Sequence, residues 1–77
     1  MKSILIAKDS CDVLYGDAVK AFYSINNGIG KSGFAFYMAD DIQKYGETAI
    51  FVGEYEKCKV ASEILNETEI PFEIQSL

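Results

Sequence analysis

The residues with the most evident chemical potential form a glycine-rich turn that ends in Lys31 and Ser32. The string 27–32, Asn-Gly-Ile-Gly-Lys-Ser, carries the last positions of the phosphate-loop pattern G-x-x-x-x-G-K-S. The full pattern requires a glycine where this chain has Ile25, and a strand where the hydrophobic spacing predicts a helix. We therefore expect a turn between two helices, with Ser32 capping the second helix. Nucleotide binding through Lys31 and Ser32 is the weaker alternative.

Carboxylates are the second group that could do chemistry. Asp9, Asp12 and Asp17 lie around the predicted start of the first helix, and Asp40 and Asp41 follow later. Neighbouring carboxylates can exchange protons or bind Ca²⁺, but this stretch lacks the spacing and the distal glutamate of an EF-hand loop. The positive end of a helix dipole already accounts for acids near a helix start. We expect solvated or capping carboxylates and no metal site.

The chain lacks the side chains that most enzymes use. It has no histidine, which is the commonest general base and the commonest transition-metal ligand. Cys11 and Cys58 are far apart and belong to no Cys-x-x-Cys pair, and a cysteine nucleophile would have no imidazole partner. The first residues do not resemble a secretory leader, so we expect reduced thiols in a cytoplasmic protein. The sequence predicts no catalytic activity and no cofactor.

The size and the charge of the chain limit the kinds of partner it can bind. The 77 residues suffice for a single small domain, and 49% of them are hydrophobic, enough for one core. The formal net charge of −5 disfavours direct binding of nucleic acid and favours a protein partner, especially one with a basic groove. No apolar run approaches the roughly 20 residues of a membrane span. We expect a protein partner and no membrane association.

Hydrophobic spacing predicts three strands and three helices. Short apolar runs predict strands at residues 3–7, 48–52 and 72–75, with Gly53 ending the second. The first helix is expected to follow an N-cap at Ser10 or Asp12 and to end at 26–28, and the third to span 55–67. Residues 33–46 suit a strand or a helix, and the two aspartates and Gly46 favour a helix.

The resulting order is strand-helix-helix-strand-helix-strand. Three strands packed on three helices form an α/β (α+β) two-layer sandwich, the smallest architecture that buries one face of each element. Two buried helical stripes are expected. The first is Leu14, Ala18, Phe22, Ile25 and Ile29, widened by Val19, and the other, in the third helix, is Val60, Ala61, Ile64 and Leu65.

Aromatic side chains are too numerous for so small a core. Six aromatic residues cannot all be buried together with Phe22, Phe34, Phe51 and Phe72, so we expect some of the six to be partly exposed. The six are Tyr15, Tyr23, Phe36, Tyr37, Tyr45 and Tyr55. Exposed tyrosine is enriched where proteins recognise proteins, although tyrosine also lies on ordinary surfaces with its hydroxyl in water.

Several short strings, in order along the chain, resemble the ClpS family, the small adaptors of Clp proteases. They are Ile4-Leu5-Ile6-Ala7-Lys8-Asp9, Gly30-Lys31-Ser32, Ile42-Gln43-Lys44-Tyr45-Gly46, the strand from Gly46 to Val52, Lys59-Val60-Ala61 and Pro71-Phe72. The resemblance implies the fold of those adaptors, which they share with the C-terminal domain of the bacterial ribosomal stalk protein.

The resemblance also implies a binding pocket for destabilising N-terminal residues, near Asp9, Leu14, Ile42 and Gln43. Lys8 stands where the family has asparagine and Gln43 where it has histidine, and a lysine repels an incoming ammonium group. Tyr15 completes the predicted partner-binding set. The sequence thus predicts a non-catalytic, adaptor-like protein-binding module, with an acidic inhibitor or decoy in a basic groove of a nucleic-acid-processing or defence enzyme as the alternative.

Overall fold

The computed structural model describes residues 1–10, 13–26 and 32–77, and for residues 32–34 it describes the backbone alone. The elements, in chain order, are β1 (Lys2–Lys8), α1 (Tyr15–Ile25), α2 (Ser32–Tyr45), β2 (Glu47–Glu54), α3 (Tyr55–Glu67) and β3 (Phe72–Ser76). The predicted order and the α+β class are confirmed.

The three strands form one antiparallel sheet in the order β2-β1-β3. Side chains alternate between the two faces of the central strand. Leu5 and Ala7 are fully buried in the core beneath the helices, whereas Ile4, on the other face, is only half-buried. The helices therefore cover one face of the sheet, as expected for two layers, and the second face is the more open one, although Ile6 is buried there.

A bulge in β2 changes which of its residues face the helices. Leu5 pairs with Phe51 and Ile6 with Ala49, so Ile50 is an extra residue in β2. As a result the consecutive residues Ile50 and Phe51 both contact the core. The strand also continues through Gly53, so the prediction that Gly53 ends it is wrong. A Cβ at this position would approach the Phe51 ring to 3.0 Å, which indicates that the glycine makes room for that ring.

Helix α1 starts later than predicted. Leu14 occupies the N-cap position and makes no side-chain capping bond, so the predicted cap Ser10 is wrong; the alternative cap, Asp12, lies outside the described residues. Leu14 precedes the helix and is 71% exposed, contrary to its predicted place in the buried stripe. At the other end Asn26 is the C-cap, and its side-chain amide donates to the carbonyls of Phe22 and Ile50, both at 3.1 Å, which fastens α1 to β2.

The ambiguous segment forms helix α2. Ser32 is its first residue, and the predicted capping bond of its side chain lies outside the described part. Gly46 ends the helix with φ of +86°, a conformation that glycine adopts at little cost, and its N–H donates to the carbonyl of Ile42 at 2.8 Å. The predicted helix and its glycine stop are confirmed.

Helix α3 has the predicted bounds but a slightly rotated buried face. Its buried residues are Cys58, Ala61, Ser62 and Leu65. Val60 is 64% exposed, so its predicted burial is wrong. The place of an apolar anchor is taken by Cys58, a free thiol that is fully buried and lies 3.6 Å from the carbonyl oxygen of Ser3. Cys11 lies outside the described residues.

Candidate partner-binding cleft

Four of the five predicted partner-binding residues line one cleft. Asp9 comes from the end of β1, Tyr15 from the start of α1, and Ile42 and Gln43 from the C-terminal half of α2. The fifth residue, Leu14, is exposed and does not line this cleft. The interior is mostly apolar and is formed by Val13, Ala18, Phe22, Ala39, Ile42 and Ile70.

Two backbone hydrogen bonds hold the end of β1 at the cleft. The N–H of Lys8 donates to the carbonyl of Pro71, and the N–H of Asp9 donates to the carbonyl of Gly46, both at 2.8 Å. Gly46 also closes the last turn of α2, so its left-handed conformation joins the helix that carries Gln43 to the strand end that carries Asp9. The position of Asp9 thus depends on a glycine far away in the sequence.

The polar rim contains a carboxylate for which the described part of the chain provides no partner. The side chain of Asp9 has no hydrogen-bond or ion-pair partner among the described residues. Gln43 is exposed beside it, and its amide can both donate and accept. Together they offer acceptors and donors at the mouth of an apolar interior, which is the usual composition of a small ligand site.

Lys8 lines the cleft, yet its charge is directed elsewhere. Its ammonium lies 3.3 Å from Glu73 and 3.9 Å from Glu47, on the two strands that flank β1. The two carboxylates offset its positive charge. The repulsion of an incoming cation that the sequence predicted for Lys8 is therefore weaker than a free lysine would produce.

The cleft is tight in this conformation. It encloses about 300 Å³ when the space open to solvent is counted, and its interior admits about one water-sized group. A larger apolar side chain would require the lining side chains to move apart. Tyr15 lies at the mouth of the cleft, where its ring is partly exposed.

Tyr15 is held by two neighbours on α2. Its hydroxyl donates to Oδ1 of Asp40 at 2.9 Å, and its ring lies 6.4 Å from the Phe36 ring, centroid to centroid, at an interplanar angle of 37°. The hydrogen bond to Asp40 raises the pKa of Tyr15 above its ordinary value, and partial desolvation and the negative charge of Asp40 act in the same direction. The phenol therefore stays protonated at neutral pH and remains a donor.

The aromatic surplus lies on the surface, as predicted. The exposed aromatic side chains include all six of the predicted group: Tyr15, Tyr23, Phe36, Tyr37, Tyr45 and Tyr55. Lys44 lies over the ring of Tyr45, with Nζ 5.3 Å from the centroid, and Lys59 lies over the ring of Tyr55 at 5.8 Å. These two rings thus have cationic partners within the chain.

Other chemistry considered from the sequence finds little support in the described residues. Within 1–10, 13–26 and 32–77, no group of three or more His, Cys, Asp or Glu side chains is arranged to hold a metal ion. Residues 27–31 of the glycine-rich string lie outside the described part, but the string stands between α1 and α2, whereas a phosphate loop follows a strand. None of the helices described is both long and apolar enough to span a bilayer.

Among the apolar walls of the cleft that sequence reasoning missed are Val13 and Ile70. Both lie beside a boundary that the sequence does show: Val13 comes just before the start of α1, and Ile70 comes just before Pro71.

Compared with known proteins, the chain matches no protein-family model and no curated protein.

Proposed function

We propose that this chain is a non-catalytic protein-binding module of the cytoplasm, which acts as an adaptor on a larger protein through the α1–α2 face. One observation carries the proposal. Asp9, Tyr15, Ile42 and Gln43 come from separate parts of the sequence and converge on one cleft with an apolar interior and a polar rim. Such convergence is typical of binding sites.

The chemistry of the rim suits a peptide. The carboxylate of Asp9, which has no partner among the described residues, can accept hydrogen bonds from N–H or ammonium groups, and the Gln43 amide can pair with a peptide group in both directions. The apolar interior then receives a side chain, after local widening at Tyr15. A peptide end or an exposed loop presents these groups together, whereas a folded convex surface cannot reach the interior.

We further propose that the module is related to the ClpS adaptors but has a different specificity. The order of the six elements supports this, as does the position of Asp9, Ile42 and Gln43 at one cleft. Gln43 in the histidine position and Lys8 in the asparagine position change the groups that would meet an α-amino group. We expect recognition of a peptide feature other than the N-terminal residues bound by that family.

The test is selection of short peptides from a display library, followed by binding measurements on the purified protein by fluorescence anisotropy. Asp9→Asn should weaken the selected peptides by about tenfold or more, because it removes a charge-assisted hydrogen bond. Gln43→Ala should weaken them by a smaller factor. Glu63→Gln, an exposed charge removal on α3, is the matched control and should leave binding unchanged.

Two outcomes would overturn the proposal: no peptide is enriched, or enriched peptides bind Asp9→Asn and Glu63→Gln as tightly as the original chain. The acidic-decoy hypothesis makes a different prediction, a salt-sensitive complex with a nuclease or polymerase. Part of the negative charge that a decoy would need is already paired within the chain, since Glu47 and Glu73 pair with Lys8 and Glu54 pairs with the amino terminus.

A further inference from the structure

An aromatic and acidic cluster adjoins the cleft where α1 meets α2. It consists of Tyr15, Phe36 and Asp40, and we refer to these three residues as the ring-acid cluster. The two rings are in contact at 6.4 Å and both are exposed, and the Asp40 carboxylate accepts the Tyr15 hydroxyl at 2.9 Å. Phe36 and Asp40 are one turn apart on α2, so all three side chains present one continuous surface.

The cluster differs from the other exposed rings of the protein in its charge partners. Tyr45 and Tyr55 each have a lysine of the same chain over the ring. Within the described residues, no lysine lies over Tyr15 or Phe36, although a carboxylate stands directly beside them. A ring face attracts a cation, and an adjacent carboxylate adds to that attraction. The cluster therefore has the composition of a cation site without a cation from the described part of the chain.

Geometry favours a planar cation. A guanidinium group stacks on an aromatic ring through its flat face while its N–H groups reach a carboxylate in the same plane, which a compact ammonium cannot do as well. The hydroxyl of Tyr15 fixes one oxygen of Asp40 and so holds the carboxylate beside the rings. The net charge of −5 also favours the approach of a basic partner.

We propose that the ring-acid cluster binds an arginine side chain of the peptide partner, next to the segment that occupies the cleft. This rests on the proposed function and specifies the partner further: its recognised segment carries an arginine close to the residue inserted into the cleft. Tyr15 belongs to both surfaces, because it lines the cleft and forms part of the cluster. Insertion into the cleft and binding of arginine should thus be coupled through Tyr15.

The cluster can be tested without knowing the partner. N-acetyl-arginine amide is titrated into the isotope-labelled protein, and backbone amide shifts are followed by NMR. N-acetyl-citrulline amide, of nearly the same shape but uncharged, is the control ligand. We expect the arginine probe to move the amides of Tyr15, Gly16, Phe36 and Asp40, with a dissociation constant on the order of 1 mM. The citrulline probe should not move them.

Two variants and a control decide which residues are responsible. Asp40→Asn and Phe36→Leu should each weaken the arginine probe by about fivefold or more, since each removes one of the two attractions. Tyr45→Leu changes an exposed ring that already has its own lysine, and it should leave the response unchanged. The same spectra show whether each variant is folded, and both substituted positions are exposed, so loss of the fold is not expected.

The inference is overturned if both probes move the same amides, or if the arginine response spreads over the acidic surface and survives Asp40→Asn. It is also overturned if selected peptides that depend on Asp9 show no preference for arginine. That last result would leave the proposed function intact, whereas failure to select any Asp9-dependent peptide would remove the function but not the arginine response.

Discussion

Lys8 and Asp9 are neighbours in sequence and both line the cleft, yet their charged ends lie on two very different surfaces. Lys8 lies across the open face of the sheet and pairs with Glu47 and Glu73 on the flanking strands. Asp9 stands at the rim of the cleft, and its carboxylate has no partner among the described residues. On the first surface the charges of the chain satisfy one another; on the second they do not.

The difference indicates what each surface is for. A surface whose groups are paired internally has little to offer a ligand, because binding would first have to break those pairs. An unpaired carboxylate above an apolar interior gains partners when something binds. The exposed rings repeat the contrast, since Tyr45 and Tyr55 have lysines of their own whereas Tyr15 and Phe36 stand beside Asp40.

The largest change in stability is expected from a substitution of Gly46, the residue that joins α2 to the strand end that carries Asp9. Gly46→Ala should lower the free energy of unfolding by about 1–2 kcal/mol, since φ of +86° is unfavourable for a residue with a Cβ. An added Cβ would meet no atom within 4 Å, so the cost is conformational rather than steric. Urea unfolding of the purified variant measures it.

Gly16→Ala is the matched control, because an added Cβ there also meets nothing within 4 Å and the residue lies in α1. It should not lower stability, and helix propensity should give a gain smaller than the roughly 1 kcal/mol of a helix interior, because Gly16 lies in the first turn. If Gly46→Ala proved neutral, the left-handed link between α2 and Asp9 would not matter to the fold.

A smaller change in stability should distinguish the paired charge of Lys8 from the carboxylate of Asp9. Lys8→Gln should lower stability by at most about 1 kcal/mol at low salt, because the pairs it breaks are partly exposed and screened by solvent. The loss should shrink in 1 M salt, where exposed charges interact less. Asp9→Asn should show no such loss, since no ion pair of Asp9 exists in the described part. Equal, salt-dependent losses for both variants would contradict the comparison.

The smallest effect concerns the proton on Tyr15. Its pKa lies above the ordinary 10.0, chiefly because the phenol donates to Asp40. A folded-state pKa above the unfolded value means that the contribution to stability is complete below pH 10 and is lost as pH rises through the folded value. The Tyr15 ring resonances, followed by NMR against pH, should titrate at lower pH in Asp40→Asn. An unchanged midpoint would show that the hydrogen bond is not maintained in solution.

The elements were predictable because local chemistry determines them. Asp40 and Asp41 in mid-segment and Gly46 at its end distinguished helix α2 from a strand, and Pro71 separated α3 from β3. Period-two and continuous apolar runs identified the three strands. The exposure of the aromatic residues followed from size alone, because a core this small cannot enclose ten rings.

What failed depended on contacts between elements. Gly53 was expected to end β2, but it remains in the strand beneath the ring of Phe51. Val60 and Leu14 fit a helical stripe by spacing, yet Val60 points to solvent and Leu14 precedes its helix. The exposure of Val60 depends on how far α3 is rotated against the sheet, which spacing does not determine, and a helix end can lie about one or two residues from its predicted place, as at Leu14.

The cleft was only partly predictable for the same reason. The resemblance to ClpS indicated Asp9, Ile42 and Gln43, which do line it, together with Leu14, which does not. The hydrogen bond between Tyr15 and Asp40 joins two helices across the intervening turn, and no local pattern in the sequence shows which faces of α1 and α2 meet.

The central position of β1 affects how the chain folds during and after its synthesis. Lys8 pairs with Glu47 and Ser3 with Ser76, so neither ladder of the sheet is a hairpin and both close over long stretches of chain. Folding should accordingly be slower than that of a helical bundle of the same size. On the ribosome, the apolar residues of β1 emerge before those of β2 and β3, and they find their second neighbour only when β3 has been synthesised. Until then the newly made chain has an open strand edge that invites mispairing with other chains.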